Sequence, residues 1–199
     1  MRIIAGERRG MKLLSPKSMS TRPITDRVKE AVFSILVNSC SMPGECKVAD
    51  LFCGTGSLGL EALSRGADYV AFVEQDKQVV EILEQNIEKA RFGERCEVIS
   101  ADAFRSGAPV LSAEEKFDLV FVDPPYPTTK DISQNSRIGK LMIILAGQIK
   151  QDGLILVRTH KRTVMDDEYG LLEVCRRRSW GNMTETFFKL KGEESQETE

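Results

Sequence analysis

One short run of residues, Asp123-Pro124-Pro125-Tyr126, combines an acid, two rigid prolines and an aromatic ring. It follows an apolar stretch at residues 117–122, which is typical of a buried strand. The prolines end that strand because they have a fixed φ and no backbone donor. Open α/β sheets bind ligands at the carboxyl ends of their strands, and this run lies at such a position. A carboxylate beside an aromatic face suits a flat base that carries an amino group.

The chemistry that this run suits is methylation of an exocyclic amine. The amino nitrogen of guanine or adenine is a poor nucleophile because its lone pair is delocalised into the ring. Asp123 and the Pro124 carbonyl can accept hydrogen bonds from the NH2 group, and this stabilisation operates mainly in the transition state. Tyr126 can stack on an extruded base, which is worth roughly 1–3 kcal/mol. The structural alternative is a proline turn caged by the tyrosine.

A glycine-rich turn at residues 50–59 lies between a predicted strand and a predicted helix. Its glycines allow a sharp turn and bring the backbone close to a ligand. Glu74 ends the next predicted strand, where a carboxylate can accept hydrogen bonds from ribose hydroxyls. The pattern predicts a nucleotide-binding site, and the predicted contacts are Asp50, Phe52, Cys53, Gly54, Thr55, Gly56, Glu74, Asp102 and Ala103.

Two acids of this predicted site have more than one interpretation. The Asp50 carboxylate favours S-adenosylmethionine over NAD, because S-adenosylmethionine carries a cation and lacks the pyrophosphate that helix amides would hold. Asp50 can contact the amino-acid group of the cofactor or stabilise the turn, and we weight the two roles equally. Asp102, together with Ala103, follows the third predicted strand and can meet the adenine or cap a helix.

Strands alternate with helices along most of the chain, which predicts right-handed βαβ units and a parallel sheet. Two further strands are joined by Gly181-Asn182, a hairpin signal. A parallel sheet that finishes in an antiparallel hairpin favours a methyltransferase over a dehydrogenase. The predicted strands are 48–52, 69–74, 97–100, 117–123, 154–158, 171–178 and 184–191, and the predicted helices are 25–38, 58–65, 76–91 and 136–150.

The N-terminal region differs from the rest in charge. Residues 1–30 hold eight Lys/Arg and three Asp/Glu, whereas the whole chain has a net charge of −2. This asymmetry favours a polyanionic partner, with an ordinary solvated surface as the alternative. We predict a hairpin-helix extension at 1–43, a catalytic domain at 44–191 and a disordered acidic tail at 192–199. The predicted RNA contacts are Arg8, Arg9, Lys12, Arg22 and Arg27.

Composition argues against several other classes of protein. The chain has 199 residues, of which 41% are hydrophobic, and it contains neither a run long enough for a membrane span nor a signal-peptide core. Its five cysteines are scattered without a CxxC pair, so we expect neither zinc nor disulfides, but reduced thiols in the cytoplasm. His160 is the single histidine, and we interpret it as a surface residue. No metal is expected.

The chain resembles the RsmD family of 16S ribosomal RNA guanine-N2 methyltransferases. The resemblance implies a Rossmann-like class I methyltransferase fold that uses S-adenosylmethionine, with a seven-stranded, mostly parallel sheet. It also implies a monomer that acts on one guanine of the 16S RNA, in the 30S subunit or an assembly intermediate. Position by position, the glycine turn and Glu74 would hold the cofactor, and 123–126 the flipped guanine. The matching stretches are 1–6, 21–23, 26–33, 50–59, 60–67 and 123–126.

The chain departs from the family pattern in two places, and the sequence leaves two alternative functions open. Residues 178–182 match the family pattern only loosely, and the Glu-rich tail is additional. A DNA methyltransferase that acts on adenine N6 or cytosine N4 would share the tetrapeptide, but it usually needs a large recognition region. A nucleic-acid-binding module with a relic nucleotide pocket is the other alternative, and intact Asp50, Glu74 and Asp123 argue against it.

Overall fold

Eight strands form one sheet in the computed structural model, which describes residues 1–16, 24–37, 42, 44–109 and 115–192. Most of their apolar residues are buried, as expected for a sheet that is covered on both faces, although Val98, Ile99 and Val174 are only partly buried. The strands are β1 (Gly44–Leu51), β2 (Ala67–Glu74), β3 (Cys96–Ser100), β4 (Phe117–Val122), β5 (Ile149–His160), β6 (Glu168–Tyr169), β7 (Leu172–Trp180) and β8 (Met183–Leu190).

The strand order is β3-β2-β1-β4-β5-β8-β7-β6. Strands β1 to β5 are mutually parallel, and β8 lies antiparallel between β5 and β7. The predicted hairpin is confirmed, since Trp180 pairs with Met183 around a two-residue turn in which Gly181 has a φ of +57°. The sheet has eight strands rather than the seven expected. The additional strand, β6, is two residues long and too short to give a periodic signal.

Five helices cover the sheet in the part of the chain that the structure describes. Polar caps begin four of them: the side chains of Thr25, Asp76, Asp102 and Ser136 each accept a hydrogen bond from a first-turn amide. Within the described ranges, no helix combines the length and the apolar character that crossing a membrane requires. The helices are α1 (Asp26–Leu36), α2 (Gly59–Ser64), α3 (Lys77–Ala90), α4 (Ala103–Ser106) and α5 (Arg137–Ala146).

The helices divide between two hydrophobic cores. Helices α1, α2 and α3 pack on one face of the sheet, and α4 and α5 pack on the other. The helix predicted at 136–150 is shorter than expected, because Ile149 already pairs with Phe117 as the first residue of β5. Gly147 closes α5, and its amide donates to the Ile144 carbonyl at 3.1 Å.

The N-terminal hairpin is confirmed and packs on the face that carries α1 to α3. Arg2 and Lys12 form an antiparallel bridge, while Ile3 and Leu13 are buried among residues of the sheet and of α2. Buried Glu61 of α2 accepts hydrogen bonds from the Ile4 and Ala5 amides at 2.8 and 3.0 Å. The extension at 1–43 therefore shares a core with the predicted catalytic domain. The proposed tail beyond residue 192 lies outside the described residues.

Candidate active site

The tetrapeptide and the glycine turn lie side by side at the carboxyl edge of the parallel strands. Strands β1 and β4 are paired, and the amide of Asp123 donates to the carbonyl of Leu51 at 3.3 Å. On the other side of β1, the Cys53 amide donates to the Val73 carbonyl at 3.2 Å. Strand order reverses between β1 and β4, so this edge is the position at which doubly wound sheets bind ligands.

The glycines of the turn have different functions. Gly54 has a φ of +56°, and a Cβ added there would meet no atom within 4 Å, so its backbone borders open space. Gly56 has a φ of +84°, and its added Cβ would lie 2.5 Å from Leu83 Cδ1. A Cβ at Gly59 would lie 2.3 Å from Phe72 Cε1. Gly54 is thus the glycine that leaves room for a ligand, whereas Gly56 and Gly59 allow α2 and α3 to pack closely.

Asp50 stabilises the turn with only one of its two oxygens. The Gly59 amide donates to Asp50 Oδ2 at 2.8 Å. Oδ1 is buried and has no hydrogen-bond partner among the described residues. Burial is the main reason that the pKa of Asp50 rises from 3.8 to about 7. The turn-stabilising role is therefore observed, and Oδ1 remains available to a positively charged ligand group.

Glu74 is held by three backbone amides. Gly54 donates to Oε2 at 3.0 Å, and Gln75 and Asp76 donate to Oε1 at 2.9 Å each. These bonds link the end of β2 to the glycine turn and fix the direction of the carboxylate. Because a carboxylate has about four acceptor sites, Glu74 can still accept hydroxyl hydrogens. Its contact with a ribose stays a prediction.

Asp102 adopts the capping role that the sequence left open. Its Oδ1 accepts a hydrogen bond from the Phe104 amide at 3.0 Å, and its Oδ2 lies 3.0 Å from Arg137 Nη2. The Phe104 ring packs 4.8 Å from the Phe52 ring, and the Arg137 guanidinium lies 4.2 Å from the Phe104 centroid. This stack of Phe52, Phe104 and Arg137 was not predicted from the sequence. Phe104, an aromatic residue shortly after the end of β3, was the signal that could have indicated it.

The remaining predicted cofactor residues are buried. Ala103, Cys53 and Thr55 are 2%, 8% and 4% exposed. Burial raises the pKa of the Cys53 thiol well above its usual value, so this thiol is not a reactive thiolate. The Thr55 carbonyl accepts a hydrogen bond from Asn86 Nδ2 at 3.1 Å, which ties the turn to α3.

Asp123 forms an ion pair with a residue that sequence reasoning missed. Arg158 of β5 donates from Nε to Asp123 Oδ1 at 2.6 Å and from Nη2 to Oδ2. The Asp123 side chain remains 22% exposed, so part of the carboxylate faces the outside. The signal for Arg158 was a cation at the end of the otherwise apolar predicted strand 154–158.

Tyr126 begins a short 3-10 turn that ends at Thr129. Thr128 anchors this turn, because its amide and its hydroxyl both donate to the Pro125 carbonyl, at 2.9 and 2.6 Å. The Tyr126 ring meets the ring of His160 edge-on, with 5.5 Å between centroids. His160 is half-buried and is the last residue of β5, and its ring supports Tyr126, a contact that its interpretation as a surface residue did not include.

The hairpin tip, with the predicted RNA contacts Arg8 and Arg9, lies away from Asp123. The Arg8 amide donates to Ser64 Oγ at 3.0 Å and its Nε to the Ala90 carbonyl at 2.6 Å. Ser64 and Ala90 end α2 and α3, and both helices run back from the carboxyl edge to the amino edge of the sheet. The hairpin tip therefore lies at the edge opposite Asp123. Arg9, Lys12 and Arg27 are exposed, and Arg22 lies outside the described residues.

A charged surface groove also lies away from Asp123. It is found near the starts of β1, β2 and β5, at the amino edge of the sheet. Its walls carry ion-paired side chains, for example Lys47 with Glu115 at 2.6 Å and Lys150 with Asp118 at 2.7 Å. The lining residues are Glu45, Lys47, Asp68, Glu115, Lys116, Lys150 and Gln151.

The carboxyl edge fits S-adenosylmethionine in three respects. Open space borders Gly54, a buried oxygen of Asp50 has no protein partner, and Glu74 is fixed at the end of β2. A cation next to Asp50 would also compensate the burial of its charge. Together with the strand order, these features define the chain as an S-adenosylmethionine-dependent methyltransferase, and it is therefore an enzyme.

Comparison with known proteins identifies the family. The family model described as "Conserved hypothetical protein 95" matches residues 1–189, and the chain belongs to this family, the RsmD family. The resemblance seen in the sequence is thereby confirmed.

Three relatives illustrate how similar the chain is to known proteins. It is 29% identical to "Putative rRNA methyltransferase YlbH" of Bacillus subtilis, over 96% of this chain and 100% of that protein. It is 42% identical to "Ribosomal RNA small subunit methyltransferase D" of Haemophilus influenzae, over 63% of this chain and 64% of that protein. The solved structure "Putative methyltransferase yhhF from Escherichia coli" superposes with a TM-score of 0.77 at 26% identity, over 97% of this chain and 99% of that one.

Proposed function

We propose that this enzyme transfers a methyl group from S-adenosylmethionine to the exocyclic N2 of a guanine in 16S ribosomal RNA. The substrate is the 30S subunit or one of its assembly intermediates. The observation that carries the proposal is the position of Asp123, which lies one hydrogen bond from the end of β1 and beside the glycine turn. The ribosomal RNA methyltransferases among its relatives support RNA of the small subunit as the substrate.

The protein's contribution to cofactor binding comes from three groups in the glycine turn and at the end of β2. Asp50 Oδ1 would face the charged amino-acid end, the Gly54 backbone would border the ligand, and Glu74 would accept the ribose hydroxyls. S-adenosylmethionine supplies the methyl group when it is bound there. The rigid hydrogen bonds of Glu74 hold the turn in place before any ligand arrives.

Asp123 and Tyr126 act on the base. Arg158 uses the inner side of the Asp123 carboxylate, and the lone pairs that remain can accept the amino hydrogens of guanine. The Pro124 carbonyl is the second proposed acceptor. Hydrogen bonding of this kind draws the nitrogen lone pair out of conjugation and directs it towards the methyl group. Tyr126, supported by His160, provides a stacking face for the flipped base.

A second cationic surface borders this site and can bind the RNA backbone. Exposed Lys161 and Arg162 follow β5 directly, at the same edge as Asp123. The Lys161 amide donates to the Asn182 carbonyl at 2.9 Å, which joins this turn to the β7–β8 turn, next to Trp180. We propose that this surface contacts phosphates near the target. Filter binding tests this assignment. Lys161→Ala should bind RNA more weakly than the wild-type protein, whereas Arg9→Ala, at the opposite edge of the sheet, is the comparison and should keep its affinity.

The decisive experiment offers methyl-labelled S-adenosylmethionine with 30S subunits, naked 16S RNA and DNA. The labelled RNA is then digested to nucleosides and analysed by mass spectrometry. We expect the label in N2-methylguanosine from 30S subunits or 16S RNA. Label in DNA alone, or in methylated adenosine, contradicts the proposal. Absence of cofactor binding in calorimetry indicates a nucleic-acid-binding module instead.

Asp123→Asn tests the role of the carboxylate with little change in shape. Turnover should fall by about 100-fold or more, as for loss of a group that stabilises developing charge. The Kd for S-adenosylmethionine, measured by calorimetry, should stay within about threefold, because the cofactor contacts lie on other strands. Asp131→Asn, in the exposed loop after Tyr126, is the matched control and should keep both values. Equal loss of turnover and cofactor affinity would contradict this role.

A further inference from the structure

A buried row of charged residues lies behind Asp123. Val122 pairs with Val157, so Asp123 and Arg158 follow as the next pair across β4 and β5. Arg158 is in turn the register partner of Glu185 on β8. Arg158 is 9% exposed and Glu185 is 1% exposed. Three ionisable side chains on adjacent strands therefore occupy one row of the sheet, on the face that carries α1.

Two ionisable side chains in this row, Arg158 and Glu185, have buried atoms without a partner in the part of the chain that the structure describes. Within the described residues, neither Nη1 of Arg158 nor Oε2 of Glu185 has a hydrogen-bond partner, and both atoms are buried. Buried polar atoms without partners are uncommon because they lose their hydration without compensation. Nη1 of Arg158 is a free donor, and Oε2 of its register partner Glu185 is a free acceptor. Glu185 is therefore a second available partner for Arg158, besides Asp123.

Both atoms are buried, and they lie on β5 and β8, away from the glycine turn beside β1. The apolar side chains of Phe121, Leu156 and Phe187 belong to the same face. The other ionisable groups near the row are Asp50 and Tyr126 on the side of β1 and β4, and Arg178, the register partner of Glu185 on β7. Arg178 is exposed, and its Nη1 donates to the Arg177 carbonyl. Arg158 is thus the buried cation that Asp123 and Glu185 share.

We propose that Arg158 and Glu185 are positioning residues for Asp123. Arg158 holds the Asp123 carboxylate through both oxygens, and neutral Glu185 leaves that guanidinium to Asp123 alone. When Glu185 ionises, Arg158 turns its free Nη1 towards the second carboxylate, and its hold on Asp123 weakens. This inference rests on the proposed function of Asp123 as the acceptor of the amino hydrogens.

The protonation of Glu185 agrees with this arrangement. Burial is the main cause that raises its pKa from 4.5 to about 8, with Arg158 acting against the rise and Asp123 adding to it. Glu185 is therefore mostly neutral at pH 7. Because the folded chain keeps a proton that the unfolded chain releases, stability should fall as pH rises from about 4.5 to about 8. Glu185→Gln should remove this part of the pH dependence.

Titration of the glutamate carboxyl carbons by NMR tests the shared guanidinium without any activity measurement. The Glu185 signal is assigned as the one missing from Glu185→Gln. In Asp123→Asn, we expect its pKa to fall by at least about one unit, which corresponds to 1.4 kcal/mol, because Arg158 loses its first partner. A crystal structure of this variant should show Arg158 bonded to Glu185. An unchanged titration, or an Arg158 that stays in place, overturns the inference. Asp131→Asn is the control and should leave the signal unchanged.

Turnover measurements separate positioning from folding. Arg158→Lys keeps the charge but loses the two-pronged contact, so kcat should fall by about 10- to 100-fold, as for other groups that orient a functional side chain. The KM for RNA and the Kd for the cofactor should stay near wild-type values. We expect wild-type kcat to decline near pH 8 as Glu185 ionises, and this decline should be absent from Glu185→Gln.

The outcomes distinguish this inference from the proposed function. If the wild-type enzyme methylates no ribosomal RNA, the proposed function fails, while the NMR titration still reports on the charged row. If the wild-type enzyme is active but Arg158→Lys has the same kcat, the inference fails and the proposed function stands. If the kcat of Glu185→Gln still declines near pH 8, the inference about Arg158 and Glu185 also fails.

Discussion

At the scale of single residues, the carboxylates of the active-site edge are held in different ways. Glu74 is satisfied by three backbone amides, Asp102 by a helix end, and Asp123 by a guanidinium. Asp50 keeps one buried oxygen without a partner among the described residues. A carboxylate with this combination of burial and unused acceptor capacity is a candidate for binding a cation. The side chain most dependent on a ligand is therefore Asp50.

Asp50→Asn should weaken cofactor binding and change its pH dependence. The amide oxygen can still accept from the Gly59 amide, so the turn is preserved. Because the pKa of Asp50 is about 7, the wild-type protein should bind S-adenosylmethionine more tightly at pH 8 than at pH 6, where the carboxyl is protonated. Asp50→Asn should bind more weakly and lose this difference, as measured by calorimetry.

The control for this prediction is Asp118→Asn, on β4 but at the amino edge of the sheet. It should bind the cofactor as the wild-type protein does at both pH values. A wild-type affinity that is the same at pH 6 and pH 8 would show that the Asp50 carboxylate does not face a charged part of the ligand.

At the scale of the elements, the glycine turn depends on how closely α2 approaches the sheet. Gly59 begins this helix and lies against Phe72 of β2, with no space for a Cβ. Its amide also holds Asp50. The distance between helix and sheet therefore determines where the acid lies. Gly59 belongs to the glycine motif but not to the predicted cofactor contacts, and it acts here through packing.

Gly59→Ala should destabilise the protein by about 1–3 kcal/mol, the range for overpacking a tight core contact. The added Cβ would lie 2.3 Å from Phe72 Cε1 and 2.9 Å from Val70 Cγ1, so helix and sheet must separate. Urea denaturation measures this loss. Gly93→Ala, where a Cβ would meet nothing within 4 Å, is the matched control and should change stability by less than about 0.5 kcal/mol. Equal effects would contradict the packing argument.

At the scale of the whole molecule, buried Glu61 joins the N-terminal extension to the catalytic part. It accepts from the Ile4 and Ala5 amides, from Arg65 Nε at 2.8 Å, and pairs with Lys29 at 3.2 Å. Lys29 also donates to the carbonyls of Arg2 and Ser57, at 2.7 and 3.4 Å. Hairpin, α1, α2 and glycine turn therefore meet in one buried network, and changes in the extension can reach the cofactor turn.

Glu61→Ala should destabilise the protein by about 3–5 kcal/mol, because it leaves buried Lys29 without its carboxylate partner. The hairpin should also become sensitive to limited proteolysis. Glu30→Ala removes the exposed carboxylate that pairs with Arg65, and as the matched control it should cost only about 0–1 kcal/mol. Urea denaturation compares the two. Similar losses would show that the buried network does not hold the extension.

Several features of the protein follow from the sequence alone, because they are encoded by neighbouring residues. The alternation of strands and helices, the glycine turn, the Gly181-Asn182 hairpin and the prolines after β4 depend on periodicity and local backbone geometry. The direction of the chain in βαβ units then places Asp50 and Asp123 at one edge. The family was also recognised from such local motifs, and the comparisons confirm it.

Other features were decided by the tertiary structure alone, because they join residues far apart in the chain. Arg158 meets Asp123 and Glu185 only through the strand order β4-β5-β8, which no local pattern specifies. The hairpin tip with Arg8 lies at the amino edge because Glu61 and Ser64 hold it there, although charge alone favoured the active site. Charge and periodicity predict which groups are available, whereas long-range packing decides which groups meet.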